Sequence, residues 1–152
     1  MERSFKKEVK SLRLGAGDTF HGEGILAVTK ALLQSGVSYV GGYQGAPVSH
    51  LMDVLADAQD TLDELGVHLE TCANEAGAAA MLGASINYPL RGAVTWKSTV
   101  GTNVASDALS NLASAGVKGG TLIIIGEDYG EGSSIIQERS HAFATKSQIW
   151  LL

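Results

Sequence analysis

The chain is organised around residues 70–84, which read ETCANEAGAAAMLGA. A short strand pattern ends at Thr71, and a helix of very small residues follows from about Asn74. Asn74 is a favourable N-cap, because its side-chain oxygen can accept a hydrogen bond from a free helix N–H. Glu75 then lies in the first helical turn, beside the positive end of the helix dipole. This stretch predicts a strand-to-helix connection with a carboxylate at its corner.

The position of Glu75 allows two interpretations. It can be an ordinary first-turn glutamate that stabilises its own helix, since acidic first turns are common. Alternatively, the alanine and glycine residues at 76–80 let a neighbouring element approach closely, so that the start of the helix is buried. A buried carboxylate needs a partner, and that partner can be a ligand.

Helix and strand patterns alternate on either side of this connection. Helical apolar spacing occurs over 22–34, 51–65, 74–87 and 100–115, and strand patterns occur over 37–40, 67–71, 93–96 and 121–125. The alternation predicts an α/β fold, a doubly wound parallel sheet with helices on both faces.

Three further expectations concern the connections and the ends of the chain. Pro47 is expected to open the second helix, because proline is tolerated at the first helical position. Residues 149–152 are expected to begin another strand. Residues 1–21 are expected to form an N-terminal arm, followed by a single domain over 22–152.

The bulk properties exclude several classes of function. The 152 residues carry a net charge of −5, which argues against a nucleic-acid surface. No apolar run approaches the roughly 18 residues that a membrane span needs. The charged N-terminus lacks the apolar region of a secretory signal. The single cysteine, Cys72, excludes an internal disulfide and an iron–sulfur cluster held by this chain alone. These features predict a cytoplasmic protein.

The sequence also predicts where a site would lie. In a parallel sheet the loops that leave the carboxyl ends of the strands share one edge, and ligands bind there. The loops at 43–47, 72–75, 97–103 and 126–139 fall on this edge and are the stretches richest in glycine and polar side chains. The histidines show no metal-ligand spacing, and Ser98 and Ser133 lack the Gly-x-Ser-x-Gly elbow of serine hydrolases.

Four motifs resemble a known family when they are taken together and in order. They are YQGAPVS at 43–49, NEAGAA at 74–79, VGTNVASD at 100–107 and AGVKGG at 115–120. They look like the N-terminal domain of the indolepyruvate ferredoxin oxidoreductase α subunit. More broadly, they resemble the pyrimidine-binding domain of thiamine-diphosphate-dependent 2-oxoacid:ferredoxin oxidoreductases, over about residues 22–152.

The resemblance implies a fold and a reaction. Thiamine diphosphate would bind between this pyrimidine domain and a diphosphate-binding domain or subunit that holds Mg²⁺, and this chain would have no metal site of its own. The reaction implied is oxidative decarboxylation of indolepyruvate or another aryl 2-oxo acid to acyl-coenzyme A. Electrons would pass through iron–sulfur clusters elsewhere in the assembly to ferredoxin. The partners implied are a β/γ-type oxidoreductase subunit and ferredoxin, in an oligomer.

The resemblance also implies which residues form the site. Glu75 matches the catalytic glutamate that hydrogen-bonds the ring nitrogen of the aminopyrimidine. The implied cofactor-binding residues are Tyr43, Gly45, Ala46, Pro47, Glu75 and Asn103. The implied substrate-binding residues are Ala46, Ser49, Lys97, Thr99, Ser133, Ser134, Gln137 and Arg139. Without the resemblance, Lys97, Thr99 and Asn103 fit turn chemistry and an N-cap equally well.

The chain departs from the family pattern in two ways. The family loop usually reads Tyr-Pro-Gly-Thr-Pro, and Gln44 and Ala46 replace the first proline and the threonine. Ala46 thereby removes a hydroxyl expected near the substrate carboxylate, which implies either that substrate binding is impaired or that a different 2-oxo acid is bound, while the cofactor glutamate is intact. The family also continues through a diphosphate domain with a Gly-Asp-Gly…Asn motif, and this chain lacks that motif, so it is not expected to hold the Mg²⁺-diphosphate end of the cofactor or to be active alone. Because the apolar residues 149–152 would start a strand with nothing after it to cover it, the chain is expected to be truncated at its C-terminal end. The alternative is a catalytically silent α/β module that binds a partner or a small ligand.

Overall fold

The computed structural model describes residues 3–127 and 140–152. Within these residues a 3₁₀ helix at Glu8–Arg13 precedes the α/β elements. The strands are β1 (Tyr39–Gly42), β2 (His68–Thr71), β3 (Arg91–Lys97) and β4 (Gly120–Gly126). The α-helices are α1 (Gly24–Gln34), α2 (His50–Asp57), α3 (Gln59–Leu65), α4 (Glu75–Met81), α5 (Ala84–Asn87), α6 (Val100–Val104), α7 (Ser106–Ala115) and α8 (Ser140–Ser147).

The strands form one parallel sheet in the order β2-β1-β3-β4. Gly42, the last residue of β1, is in register with Thr71 of β2 and Thr95 of β3. Lys97 at the end of β3 is in register with Gly126 of β4. The carboxyl ends of the four strands therefore lie along one edge of the sheet.

Helices cover both faces of the sheet. Side chains alternate between the two faces along each strand, so that apolar residues of the same strand pack against helices on either side. Val40 and Ala93 pack in one apolar cluster with residues of α1, α2 and α3. Their neighbours Tyr39 and Val94 pack in a second cluster with residues of α4, α7 and α8. The prediction of a doubly wound parallel sheet with helices on both faces is confirmed.

The N-terminal arm is docked on the α1–α2 side of the molecule. Phe5 is fully buried in a third apolar cluster, which it forms with residues of the 3₁₀ helix, α1 and α2. The Lys30 ammonium donates to the carbonyl oxygens of Leu12 and Leu14 at the C-terminal end of the 3₁₀ helix. The Asp57 carboxylate accepts the Phe5 N–H. The arm therefore contributes a layer of its own to the core.

Two expectations about local structure are wrong. Pro47 does not open the second helix, which begins at His50, because residues 43–49 first cross the ends of β3 and β4. Residues 149–152 do not begin a strand. The Ile149 N–H instead donates to the Ala144 carbonyl oxygen (3.0 Å), which closes the end of α8.

Strand β1 also begins two residues later than its apolar pattern indicates and extends through Gly41 and Gly42. Glycine is needed at both positions because the flanking strands leave no room for a side chain. A Cβ at Gly41 would overlap the Glu70 carbonyl oxygen, and one at Gly42 would overlap the Thr95 carbonyl oxygen. None of the helices in the described ranges is long and apolar enough to cross a membrane.

The docked arm leads to a first prediction. Phe5→Ala should lower the free energy of unfolding by about 3 kcal/mol, because a fully buried aromatic ring is removed and a cavity remains. Tyr88→Ala is the matched control: Tyr88 is 63% exposed, so its loss should change the free energy by less than about 0.5 kcal/mol. Urea denaturation of both variants measures the difference. Equal effects would show that the arm is not part of the core.

Candidate functional site

The sheet order creates a crevice between β1 and β3. These strands are neighbours, yet the connection from β1 leads to α2 on one face, and the connection from β3 leads to α6 and α7, of which α7 packs on the other face. Ligands of open α/β sheets bind where neighbouring connections diverge in this way. The crevice is bounded by residues 43–49 after β1 and by residues 98–99 after β3.

Glu75 lies at the adjoining β2–α4 connection and is buried. The Asn74 side chain caps α4 as predicted, accepting the Gly77 N–H at 2.8 Å. The Glu75 side chain is only 6% exposed. No hydrogen bond or ion pair joins its carboxylate to any other residue in the described part of the chain. A carboxyl group that is buried without a hydrogen-bond partner favours a ligand that can supply one.

Gly101 in the first turn of α6 makes this burial possible. A Cβ at Gly101 would lie 2.9 Å from Glu75 Cγ and 2.5 Å from Trp96 Cδ1. Trp96 is fully buried at the end of β3, and its Nε1–H donates to Thr102 Oγ1 at 3.3 Å. Gly101 therefore lies between the stem of Glu75 and the edge of the Trp96 ring, and it leaves room for both.

The loop after β1 crosses the ends of the neighbouring strands. The Tyr43 N–H donates to the Thr95 carbonyl oxygen at 3.0 Å. Gly45 approaches β3 so closely that a Cβ there would lie 3.0 Å from Lys97 Cβ. Pro47 and Val48 pack in the same way against Gly126 at the end of β4. Tyr43, Ala46 and Pro47 are exposed on the outer side of this loop.

The turn after β3 has strained backbone geometry. Thr99 has φ 52° and ψ −65°, and the Val100 N–H donates to the Ser98 carbonyl oxygen at 2.8 Å, which together define a γ-turn with positive φ. Such a conformation is unfavourable for a β-branched residue. It persists here because β3 on one side and α6 on the other fix both ends of the turn.

The structure places the remaining predicted residues as follows. Ser49 and Lys97 are buried, at 3% and 8% exposed, beneath or beside the loop after β1. Asn103 is exposed on α6, two residues beyond Gly101. Ser133, Ser134, Gln137 and Arg139 lie outside the described residues.

Several residues at this edge are not among the site residues predicted from the sequence. Ser98 is buried, and its hydroxyl lies 2.8 Å from that of Ser140 at the start of α8. Trp96 and Gly101 are the others, and Gly101 lies close to both the Trp96 ring and the Glu75 stem. A glycine at the start of a helical pattern is a weak signal for a close approach, and Gly101 could have been found by it. Within the described ranges, no cluster of His, Cys, Asp and Glu is suited to a metal ion.

The sequence is similar to curated proteins that share one name. It is 29% identical over 141 residues to the indolepyruvate oxidoreductase subunit IorA of Methanothermobacter marburgensis. This match covers 93% of the present chain and 22% of that relative. It is 33% identical over 104 residues to IorA of Archaeoglobus fulgidus, covering 67% of this chain and 16% of the relative. It is 29% identical to IorA of Thermococcus kodakarensis, and the match covers 83% of this chain and 19% of that relative.

The chain is related to the IorA subunits. The predicted family resemblance is thereby confirmed over most of the chain. The chain spans about a fifth of the length of the IorA proteins it matches. No protein-family model matches it.

The packing around Gly101 leads to a second prediction. Gly101→Ala should destabilise the chain by about 1–3 kcal/mol despite the better helix propensity of alanine, because the added Cβ overlaps Trp96 and Glu75. Gly77→Ala is the matched control, since its Cβ would meet the nearest atom at 3.6 Å. That variant should be neutral or more stable by up to about 1 kcal/mol. Thermal unfolding distinguishes them, and equal stability would contradict the packing described for Glu75.

A third prediction concerns Cys72, three residues before Glu75. Burial raises the pKa of the Cys72 thiol above its ordinary value, and the negative charge of Glu70 raises it further. At neutral pH the thiolate fraction, and hence the alkylation rate, should be below that of a free cysteine. Glu70→Gln should increase the rate at low salt and have less effect at high salt, because charge effects between partly exposed groups are screened. Iodoacetamide kinetics measure this, and an unchanged low-salt rate would exclude the effect of Glu70.

Proposed function

We propose that this chain supplies the pyrimidine-binding side of a thiamine diphosphate site in a 2-oxoacid:ferredoxin oxidoreductase. The observation that carries the proposal is the Glu75 carboxylate. It is buried beside the crevice edge and makes no hydrogen bond to another residue in the described ranges. The relationship to IorA subunits supports the same class of enzyme.

The residues present fit one half of the cofactor. A flat heteroaromatic ring with a ring nitrogen matches a buried carboxylate whose stem lies against Gly101 near the Trp96 ring. The other half needs a metal ion and groups that bind the diphosphate. The described residues provide no metal-binding cluster. We therefore propose that another domain or subunit holds the Mg²⁺ and the diphosphate, and that this chain is inactive alone.

The proposed role of Glu75 is to hold a proton at the ring nitrogen of the aminopyrimidine. A carboxylate suits this role because hydrogen bonds to a charged group are short and strong, and a dry site strengthens them further. When bound, thiamine diphosphate supplies the electron sink for decarboxylation of a 2-oxo acid. Tyr43, Gly45, Ala46 and Pro47 would line the ring from the loop after β1, and Asn103 from α6.

The proposal extends to the substrate and the assembly. The substrate would be indolepyruvate or another aryl 2-oxo acid, converted to acyl-coenzyme A in the cytoplasm. Lys97 is the cationic residue among those proposed to contact it at the described edge, so it would attract the substrate carboxylate. Ala46, Ser49 and Thr99 would contact the rest of the substrate, together with Ser133, Ser134, Gln137 and Arg139. Iron–sulfur clusters, a β/γ-type subunit and ferredoxin would complete an oligomeric enzyme.

The fourth prediction tests Glu75. In the complete assembly, Glu75→Gln should lower turnover with an aryl 2-oxo acid by about 10²–10⁴-fold, because the amide cannot exchange a proton with the ring nitrogen. Glu70→Gln is the matched control, since Glu70 is half exposed at the end of β2, and it should leave turnover unchanged. The assay follows reduction of a viologen dye or ferredoxin, with circular dichroism to verify folding.

Near-normal turnover by a folded Glu75→Gln enzyme would exclude the cofactor role of Glu75. If the complete assembly neither binds thiamine diphosphate nor reduces the acceptor, the alternative of a silent binding module is favoured instead.

A further inference from the structure

Asp53 on α2 is hydrogen-bonded by two distant segments of the chain. Its side chain is 2% exposed. Its Oδ1 accepts a hydrogen bond at 3.1 Å from Nε2 of Gln44, a residue of the loop after β1. Its Oδ2 accepts the backbone N–H of Arg3 at 3.0 Å, which belongs to the N-terminal arm. His50 Nδ1 lies 3.2 Å from the same Oδ2. One buried carboxylate thus holds the arm and the loop.

The two segments use different oxygens of a group that has little freedom to move. A buried carboxylate requires donors, and each donor that it binds is fixed in turn. The Phe5 ring packs edge-on to His50 with 5.8 Å between ring centroids, and the Arg3 guanidinium lies over the Phe5 ring. The arm side of Asp53 is therefore well packed.

We propose that Asp53 is a positioning residue, a shared anchor that fixes the loop of residues 43–47 at the crevice and the N-terminal arm at the same time. Through Gln44 it sets the position of Tyr43 and Gly45, to which the proposed function assigns contacts with the cofactor. The effect on cofactor binding rests on the proposed function, whereas the anchoring of the two segments does not.

The chain offers a matched control one helical turn further along α2. Asp57 accepts the Phe5 N–H and lies 3.2 Å from the Ser4 hydroxyl, so it also holds the arm. The contacts described for its side chain are to the arm and not to the loop after β1. Asp57→Asn therefore loosens the arm alone, Gln44→Met loosens the loop alone, and Asp53→Asn loosens both.

The experiment is hydrogen–deuterium exchange on the complete assembly, read at two sets of amides. Tyr43 and Val48 report on the loop, and Val9 and Leu14 report on the arm. Gln44→Met should raise loop exchange roughly tenfold, the effect of losing one hydrogen bond to a charged group, and leave arm exchange unchanged. Asp57→Asn should raise arm exchange and leave loop exchange unchanged. Asp53→Asn should raise both.

A second readout measures cofactor affinity. Gln44→Met and Asp53→Asn should raise the apparent dissociation constant of thiamine diphosphate several-fold, with kcat at saturating cofactor within about twofold of the parent. Asp57→Asn should change neither. A purely structural role would instead reduce the active fraction in all variants alike.

The outcomes separate the two proposals. If Asp53→Asn loosens only one segment, or if Gln44→Met leaves loop exchange unchanged, the shared anchor is wrong. Gln44→Met decides the matter even where Asp53→Asn fails to fold. If the unmodified assembly binds no thiamine diphosphate, the proposed function fails, while the exchange data still decide whether Asp53 anchors both segments.

Discussion

Burial of the Glu75 carboxylate against Gly101 is the constraint on which the site depends. With any larger residue at 101, the Glu75 stem and the Trp96 ring could not both keep their places. The small residues of α4 act in the same direction, because they let the helix lie close to its neighbours. Removing a carboxylate from water costs several kcal/mol unless a donor is supplied. A fold that buries a carboxylate in this way is suited to bind a ligand that provides a hydrogen-bond donor.

The sheet order determines which residues can meet that group. Because β1 lies between β2 and β3, the β2–α4 connection that bears Glu75 and the two diverging loops share one edge. At this edge the backbone of β3 lies so close to the end of β1 that it leaves no space for a side chain at Gly42.

The sequence predicts the part of this arrangement that is written in local patterns. Alternating periodicities and the Asn74 cap predict the sheet, the helices and the corner at Glu75. Local patterns do not show a close approach between distant segments. Pro47 has the features of a helix start, yet the loop must first cross two strands. Phe5 lies in a charged stretch, and only its packing between α1 and α2 shows that the arm is part of the core.

The Gln44 departure has a physical counterpart in the structure. A proline fixes φ of its own residue whatever surrounds it, so a proline-containing loop is stiff by itself. Gln44 has no such property, and its side chain instead donates a hydrogen bond to the buried Asp53. The geometry of the loop is then a tertiary property, because the carboxylate that holds Gln44 also holds Arg3. In this chain, the crevice beside Glu75 and the N-terminal arm are therefore parts of one hydrogen-bonded unit.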